Sequence, residues 1–291
     1  MALSELARRT LFAVVAIPIV LGVIWVGDAA LAALLAIAAA LAAWEFFRLA
    51  ERGEYAPLGA TGIGVAAVLP LVAHAQRRGA VTPSVTWAVL AVLAMLAVAL
   101  VARGPARRPI GAVAVTVLGV VYTGGLLSYA YILRYHRFTN YALGAEAGAV
   151  LLLLPVLLTW TSDTGGYFVG RSFGRHKLLP SVSPGKTIEG AVGALVLCAI
   201  VAWVYMRYVL VPYAQLALTP VSAALFGIGV SVAVQIGDLV ESLMKREVAV
   251  KDSSHLVPGH GGVLDRLDGM LFALPVAYWL LEVMRVYPVP R

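Results

Sequence analysis

The sequence predicts an all-α, polytopic integral membrane protein with about nine transmembrane helices and a cytoplasmic N-terminus. Composition is the first observation behind this prediction, because 61% of the 291 residues are hydrophobic, only 13% are charged and the mean hydropathy is +0.90. Soluble proteins carry about 25% charged residues. The second observation is that the apolar residues form long stretches, and the third is that the basic residues between them are unevenly distributed.

Nine apolar segments follow one another, each near the length of about 20 residues that crosses a bilayer as a helix. The first follows Arg8 and Arg9 and could serve as a secretory signal, but a second apolar segment follows almost at once and no polar mature domain appears. We therefore expect a retained helix. The predicted spans are residues 10–27, 29–47, 57–75, 84–102, 110–133, 147–162, 188–211, 217–240 and 267–287.

The loops between the spans predict the orientation in the membrane. Successive loops lie on alternate sides of the membrane and so form two sets. The set that includes the N-terminus holds 15 of the 22 basic residues, and the other set holds 7. Positively charged loops are retained in the cytoplasm, so we expect the two longest polar loops, 163–187 and 241–266, on the cytoplasmic side. Part of this excess could instead bind a substrate. Cys198 is the only cysteine, which excludes an intrachain disulfide and a zinc site built from cysteines.

The aspartates indicate where chemistry is concentrated. We expect one membrane domain over 1–291, with scaffold helices in 1–150 and a catalytic half in 151–291, because no repeat or long linker divides the chain. Ionisable side chains at the ends of spans generally face a bundle interior or a water-filled cavity. Five of the six aspartates lie in the second half: Asp163, Asp238, Asp252, Asp265 and Asp268.

The segment GDLVESLMKREVAVKD, residues 237–252, is expected to continue the eighth span as a helix. Asp238, Ser242 and Lys245 are spaced at i, i+4 and i+7 and therefore share one face. The alternative is an ordinary solvated helix end in which Glu241 pairs with Lys245.

The segment HLVPGHGGVLDRLDG, residues 255–269, joins a glycine-rich loop to the last span. Its glycines, Gly261 and Gly262 among them, let backbone N–H groups approach an anion. Asp265 and Asp268 are spaced i, i+3 and, with Asp238, offer the hard oxygen ligands that Mg²⁺ prefers. Acids at a helix N-terminus are also favourable as caps, which would explain one of the two. His260 is assigned to phosphate contact, with an ordinary loop histidine as the alternative.

The loop SDTGGYFVGRSFGRHKLLPSVSPGKTIEG, residues 162–190, contains a GKT run that resembles a P-loop. Position 180 is proline where that pattern needs glycine, and the expected context is membrane helices, so we reject the assignment. Ser183, Lys186 and Thr187 remain suited to binding phosphate. The alternative, positive charge that only sets the membrane orientation, accounts for Arg171 and Arg175 but less readily for these three residues. Carboxylates for a divalent ion and donors for phosphates together predict phosphoryl or nucleotidyl transfer.

The segment SLMKREVAVKDSSHLVPGHGGVLDRLD, residues 242–268, closely resembles the signature of the phosphatidate cytidylyltransferases, also called CDP-diacylglycerol synthases. SDTGGYFVGRSFGRHKL and SPGKTIEG resemble the family's second conserved region. The resemblance covers the C-terminal half strongly and the first half only by hydropathy. The sequence departs from the family pattern at Val257, Gly185 and Ile188, and the lysine that many members have at position 185 is missing.

The resemblance implies that CTP and phosphatidate give CDP-diacylglycerol and pyrophosphate in phospholipid biosynthesis, at a membrane and without nucleic acid. It also implies a homodimer and a requirement for Mg²⁺, with a second cation as an alternative. Expected metal ligands are Asp238, Asp265 and Asp268. Further expected catalytic residues are Lys245, Arg246, Lys251, Asp252, His260 and Arg266. Expected substrate-binding residues are Asp163, Tyr167, Ser183, Lys186, Thr187, Ser242, Gly261 and Gly262.

Two rival functions match parts of this sequence pattern. A CDP-alcohol phosphotransferase begins with a similar pattern at Asp265, Asp268 and Gly269, but Phe272 and Ala273 replace its next pair. An ion-coupled transporter would use Asp163 and Asp238 as cation sites and predicts charges near the midplane in broken helices. Arginine supplies 18 of the 22 basic residues and alanine is abundant, which indicates a GC-rich bacterial genome and a plasma (inner) membrane location.

Overall fold

The computed structural model describes residues 5–103, 108–138, 146–256, 261–284 and 286–288. Helix is the dominant structure in these residues, and each of the nine predicted spans is helical over most of its length, which confirms the all-α prediction. The helices are α1 (Glu5–Val26), α2 (Asp28–Arg52), α3 (Gly59–Arg77), α4 (Val85–Ala102), α5 (Pro109–Val120), α6 (Leu126–Arg134), α7 (Glu146–Phe173), α8 (Ile188–Tyr205), α9 (Pro220–Glu247) and α10 (Leu264–Val283).

Two π-helical segments lengthen these helices. Val121–Gly125 joins α5 to α6, and Met206–Ala214 continues α8. Two short antiparallel pairs of strands complete the described structure: β1 (Lys177–Leu179) with β2 (Ser183–Thr187), and β3 (Leu216–Ala217) with β4 (Tyr287–Pro288).

Seven helical stretches among the described residues are long and apolar enough to cross a membrane. The other two predicted spans correspond to α1, whose Val14–Val26 part forms a shorter apolar helix, and to α10. Helix α10 is 20 residues long but carries Asp265, Arg266, Asp268 and Glu282. The chain is therefore a multi-pass membrane protein.

The polar loop 163–187 is shorter than predicted, and this is a correction to its expected boundaries. Helix α7 continues to Phe173, so Asp163 and Tyr167 lie on a helix. Helix α9 continues to Glu247, as expected for the start of the segment 237–252. Hydropathy identifies only the apolar part of a helix. The backbone hydrogen bonds of the helix can continue into polar residues, so the helix can be longer than its apolar part. Most of the remaining loop is the β1–β2 hairpin.

Contacts within the chain group its residues into two compact units. The first comprises Met1–Tyr131 and Met244–Leu267. In this unit α2 packs against α3, α5 and the following π-helical segment. Phe46 and Phe47 lie edge to face with ring centroids 5.6 Å apart, and Gly62 and Gly119 leave the space that the two rings occupy.

The second unit comprises Ile132–Leu243 and Asp268–Arg291. Its centre is the close packing of α7 against α8 and the π-helical segment after α8. A hydrogen bond of 2.8 Å joins the buried hydroxyls of Ser162 and Ser231 and so links α7 to α9. Polar partners of this kind hold helices together where lipid offers no competing hydrogen bonds.

Candidate active site

A cavity of about 480 Å³ lies in the second unit, lined by residues of α7, the hairpin, α8 and α9. Four predicted substrate- or metal-binding residues are among those that line it: Asp163, Tyr167, Lys186 and Thr187. The predicted metal ligand Asp238 lines it as well. Pockets of this size are typical of small-molecule sites, so the cavity is the candidate active site.

An ion pair joins two residues that the sequence assigned to different roles. Lys186 Nζ lies 2.6 Å from Asp238 Oδ2, and the side chains are 25% and 32% exposed. Ser242 Oγ donates to Asp238 Oδ1 at 3.3 Å, as expected for residues one helical turn apart. The hairpin therefore brings a cation to the carboxylate of α9, and both groups remain accessible to a solute in the cavity.

The hairpin is anchored to the first turn of α8. Glu189 Oε2 accepts hydrogen bonds from the backbone N–H groups of Arg175 and His176, and the His176 ring lies 2.6 Å from Glu189 Oε1. Thr187 caps α8 by accepting a hydrogen bond from Gly190 N at 3.1 Å. These contacts fix the strand that carries Lys186.

Glycines at intervals of four on α7 let β2 and α8 approach closely. A Cβ atom added at Gly170 would lie 2.9 Å from Thr187 Oγ1, and one added at Gly190 would lie 2.7 Å from the carbonyl oxygen of Gly166. Small residues at such spacing are typical of close helix contacts in membranes. The sequence prediction treated these glycines as loop residues, which was wrong because α7 continues through them.

Arg171 and Tyr167 form an aromatic and cationic wall of the same cavity. Arg171 Nη1 donates to the Tyr167 hydroxyl at 2.7 Å, and its guanidinium lies 5.9 Å from the ring centroid. Gln235 and Ser162 also line the cavity, and the sequence prediction assigned them no role. Ser183 lies on β2 and is partly buried, so its predicted phosphate contact stays a prediction.

A second cluster of predicted catalytic residues lies in the first unit, around Asp265. Lys245 Nζ lies 2.6 Å from Asp265 Oδ1. Asp265 Oδ2 accepts hydrogen bonds from Ser253 N at 2.9 Å, Ser253 Oγ at 2.9 Å and Gly262 N at 2.7 Å. The anion that the glycine-rich loop holds in this structure is thus the Asp265 carboxylate, and the substrate contacts expected of Gly261 and Gly262 stay predictions.

The lack of space for a side chain explains why glycine occupies positions 261 and 262. Gly261 has a φ of +81°, in the left-handed region that favours glycine. A Cβ atom at Gly261 would lie 2.7 Å from Asp265 Oδ2, and one at Gly262 would lie 2.1 Å from Ser253 Oγ. Side chains at either position would therefore displace the groups that surround Asp265.

Glu45 is a buried acid of this cluster that the sequence prediction missed. It is completely buried on α2 and accepts hydrogen bonds from Ser254 Oγ, Val263 N and Leu264 N. Ser253 Oγ lies 3.1 Å from Glu45 Oε2, and its single proton is shared between Glu45 and Asp265. The sequence could have indicated Glu45, because it is a single acidic residue within a predicted apolar span. Acidic residues in such spans are generally paired or functional.

The remaining predicted catalytic residues are less enclosed. Arg246, Lys251, Asp252 and Arg266 are exposed, and Asp268 Oδ1 accepts a hydrogen bond from Gly269 N at 2.6 Å. His260 lies outside the described residues. Their predicted roles in binding phosphate or metal stay predictions.

The metal assignment also stays a prediction. In the part of the chain that the structure describes, no three His, Cys, Asp or Glu side chains cluster as a metal site. Asp265 belongs to the first unit, and Asp238 and Asp268 belong to the second. The carboxylates of Asp163 and Asp238 on the cavity wall nevertheless fit Mg²⁺, which proteins commonly hold by one or two carboxylates with water and phosphate oxygens.

Comparison with known proteins gives a match to the model of the cytidylyltransferase family over residues 7–284. The phosphatidate cytidylyltransferase of Staphylococcus haemolyticus is 31% identical over 95% of this chain and 99% of its own. Those of Bacillus subtilis and Haemophilus influenzae are 36% and 43% identical, and the matches span about half of their lengths, 57% and 48%. The chain is therefore a member of the cytidylyltransferase family.

Proposed function

We propose that this protein transfers the cytidylyl group of CTP to phosphatidate, forming CDP-diacylglycerol and pyrophosphate. The observation that carries the proposal is the Lys186–Asp238 pair in a cavity that also contains Arg171 and Thr187. Cationic and hydroxyl donors beside carboxylates suit a nucleoside triphosphate and its metal. The names of the related proteins support phosphatidate as the acceptor.

In the proposed reaction, a phosphate oxygen of phosphatidate attacks the α-phosphorus of CTP. The new P–O bond forms while the bond from the α-phosphorus to the bridging oxygen breaks, and pyrophosphate leaves with that electron pair. The attacking phosphate is already anionic near neutral pH, so it needs no dedicated base. Positioning the two substrates and neutralising their charge are then the main tasks of the protein.

Lys186 and Arg171 are the groups on the cavity wall that we propose to bind triphosphate oxygens. The ammonium of Lys186 would exchange its contact with Asp238 for a phosphate oxygen, which leaves the Asp238 carboxylate available to a cation. The Thr187 hydroxyl, which lines the cavity, suits a further phosphate oxygen.

We also propose Mg²⁺ as the cofactor, held in the cavity by Asp238, with Asp163 on the same wall. When bound, the ion would neutralise charge that develops on the phosphates. The ligand roles of Asp265 and Asp268, a second cation and a homodimer stay predictions. The cytoplasmic face of a bacterial plasma membrane is the proposed location, supported by the uneven charge of the loops.

Incorporation of labelled CTP into lipid tests the proposal. The purified full-length protein in phosphatidate-containing vesicles should convert CTP labelled in the cytosine into a chloroform-soluble product and release pyrophosphate in equal amount. Omitting phosphatidate or adding a chelator should abolish both signals. Pyrophosphate release without lipid labelling would contradict transfer to lipid, and no reaction with CTP would overturn the proposal.

A further inference from the structure

We infer that Glu45 is a positioning residue that holds Ser253, Ser254 and the start of α10 in the arrangement in which Asp265 is enclosed. The inference concerns the architecture of the first unit, and it rests on the proposed function only where catalysis is the readout. Glu45 is an acid that the proposed reaction does not use, yet it is completely buried. A buried carboxylate is costly unless it is paired or hydrogen-bonded, so its partners indicate its role.

Both carboxylate oxygens of Glu45 bind the segment that precedes Asp265. Oε1 accepts hydrogen bonds from Ser254 Oγ at 2.6 Å and from Val263 N at 2.9 Å. Oε2 accepts a hydrogen bond from Leu264 N at 2.6 Å and lies 3.1 Å from Ser253 Oγ, whose single proton it shares with Asp265. One side chain of α2 therefore fixes both ends of a loop that is more than 200 residues away along the chain.

Glu45 supplies from another helix what a local capping residue usually supplies. Leu264 is the first residue of α10, and the first N–H groups of a helix have no partner within the helix. A negative charge at this end is also favoured by the helix dipole. Glu45 thus sets where α10 begins, one residue before Asp265.

Ser253 connects Glu45 to Asp265 directly. Its hydroxyl lies 3.1 Å from Glu45 Oε2 and 2.9 Å from Asp265 Oδ2, and its backbone N–H donates to the same Asp265 oxygen. Gly262 completes the arrangement, because a Cβ atom at this position would lie 2.5 Å from Glu45 Oε2. Loss of the Glu45 charge should therefore release Ser253 and the N-terminus of α10 together.

Hydrogen exchange on the full-length protein tests this inference without reference to catalysis. Glu45→Gln keeps the size of the side chain but replaces one acceptor oxygen by an NH₂ group that cannot accept from a backbone N–H. We expect amide exchange in residues 253–267 to increase by about 10-fold, and exchange in α7 and α8 to stay unchanged. Glu51→Gln is the matched control, because Glu51 is an exposed acid on the same helix.

Kinetics then test the link to Asp265. We expect Glu45→Gln to lower kcat by about 10- to 100-fold, with Glu45→Asp intermediate. Ser253→Ala should lower kcat as well, and the double variant should be no worse than the more severe single variant, because both act through one contact. Glu51→Gln should retain wild-type kcat.

Unchanged exchange in 253–267 would overturn the inference, and so would increased exchange with unchanged kcat. Independent effects of Glu45→Gln and Ser253→Ala would also overturn it. Should Glu45→Gln fail to fold, Ser254→Ala replaces it, since it removes one Glu45 partner at a partly buried position, and the same exchange measurement decides. Failure of the proposed reaction in the wild-type protein would leave the exchange result standing, so the two proposals fail separately.

Discussion

Asp265 Oδ1 lies 2.6 Å from Lys245 Nζ, and the two side chains are only 5% and 13% exposed. An ion pair this enclosed gains little over an apolar pair, but removing one partner leaves a buried charge at a cost of about 3–5 kcal/mol. Three N–H and O–H donors on Asp265 Oδ2 lower the cost of burying the carboxylate. The pair therefore links the end of α9 to the start of α10 within the first unit.

Replacing Asp265 by Asn should abolish CTP-dependent lipid labelling and lower the thermal stability of the purified protein. The neutral amide removes the negative charge that lies 2.6 Å from the largely buried Lys245 ammonium. Adding Lys245→Met should restore much of the stability, because both buried charges are then gone, but activity should stay lost. Melting curves and lipid labelling measure the two effects. Wild-type activity in Asp265→Asn would contradict the catalytic role.

Lys186→Ala should raise the KM for CTP by about 10-fold or more, the loss expected for one charge-assisted hydrogen bond. Lys177→Ala is the matched control, because Lys177 is exposed on β1 of the same hairpin. Its KM should stay within about two-fold of wild type. Initial rates at varied CTP concentration measure both. Equal changes in the two variants would indicate general charge attraction and contradict a specific role of Lys186.

Gly262→Ala should destabilise the protein by about 1–3 kcal/mol, because the added methyl group would overlap the Ser253 hydroxyl and the Glu45 carboxylate. Gly64→Ala is the matched control on α3, where nothing lies within 4 Å of the added atom. Alanine there should be neutral or stabilise the helix by about 0.5–1 kcal/mol. Melting temperatures in detergent compare the two, and equal melting temperatures would show that the space around Gly262 is not restrictive.

Accessible cysteines test the predicted orientation. Arg175→Cys, on the exposed segment before β1, should react with a membrane-impermeant maleimide only from the cytoplasmic side. Ala80→Cys, in the exposed loop after α3, should react only from the opposite side. The native Cys198 is buried and should give little background. Labelling of position 175 in intact cells would overturn the topology.

The Tyr55 hydroxyl donates to Glu247 Oε1 at 2.8 Å, and this bond and the carboxylate charge raise the pKa of Tyr55 above its ordinary value of 10.0. The raised folded-state pKa means that the contact is present at neutral pH and is lost as pH rises through that value. The difference in alkaline titration between wild type and Tyr55→Phe should therefore have its midpoint above 10.0. Glu247→Gln should return it toward the ordinary value, and a midpoint unaffected by Glu247→Gln would contradict this cause.

The amino-acid sequence alone predicts the nine helical spans and five of the residues that line the cavity: Asp163, Tyr167, Lys186, Thr187 and Asp238. The thickness of the bilayer sets the length of an apolar run, so the spans can be located from the sequence. Polar residues such as Asp163, Lys186 and Asp238 are easily recognised in a chain that is mostly apolar. Local spacing also predicted the contact of Ser242 with Asp238, because i and i+4 are neighbours on any helix. The extension of α7 to Phe173 and the β1–β2 hairpin were not predicted, since hydropathy carries no signal beyond the apolar run.

The partners of the charged residues depend on the folded chain and are not predicted by local sequence. The pairing of Lys186 with Asp238 depends on how a hairpin folds back on α9, and that of Glu45 with Ser253 joins positions 208 residues apart. No local period relates such positions. The free energy of burying Glu45 is offset by donors that only the folded chain brings to it, so its role follows from the packing of the first unit.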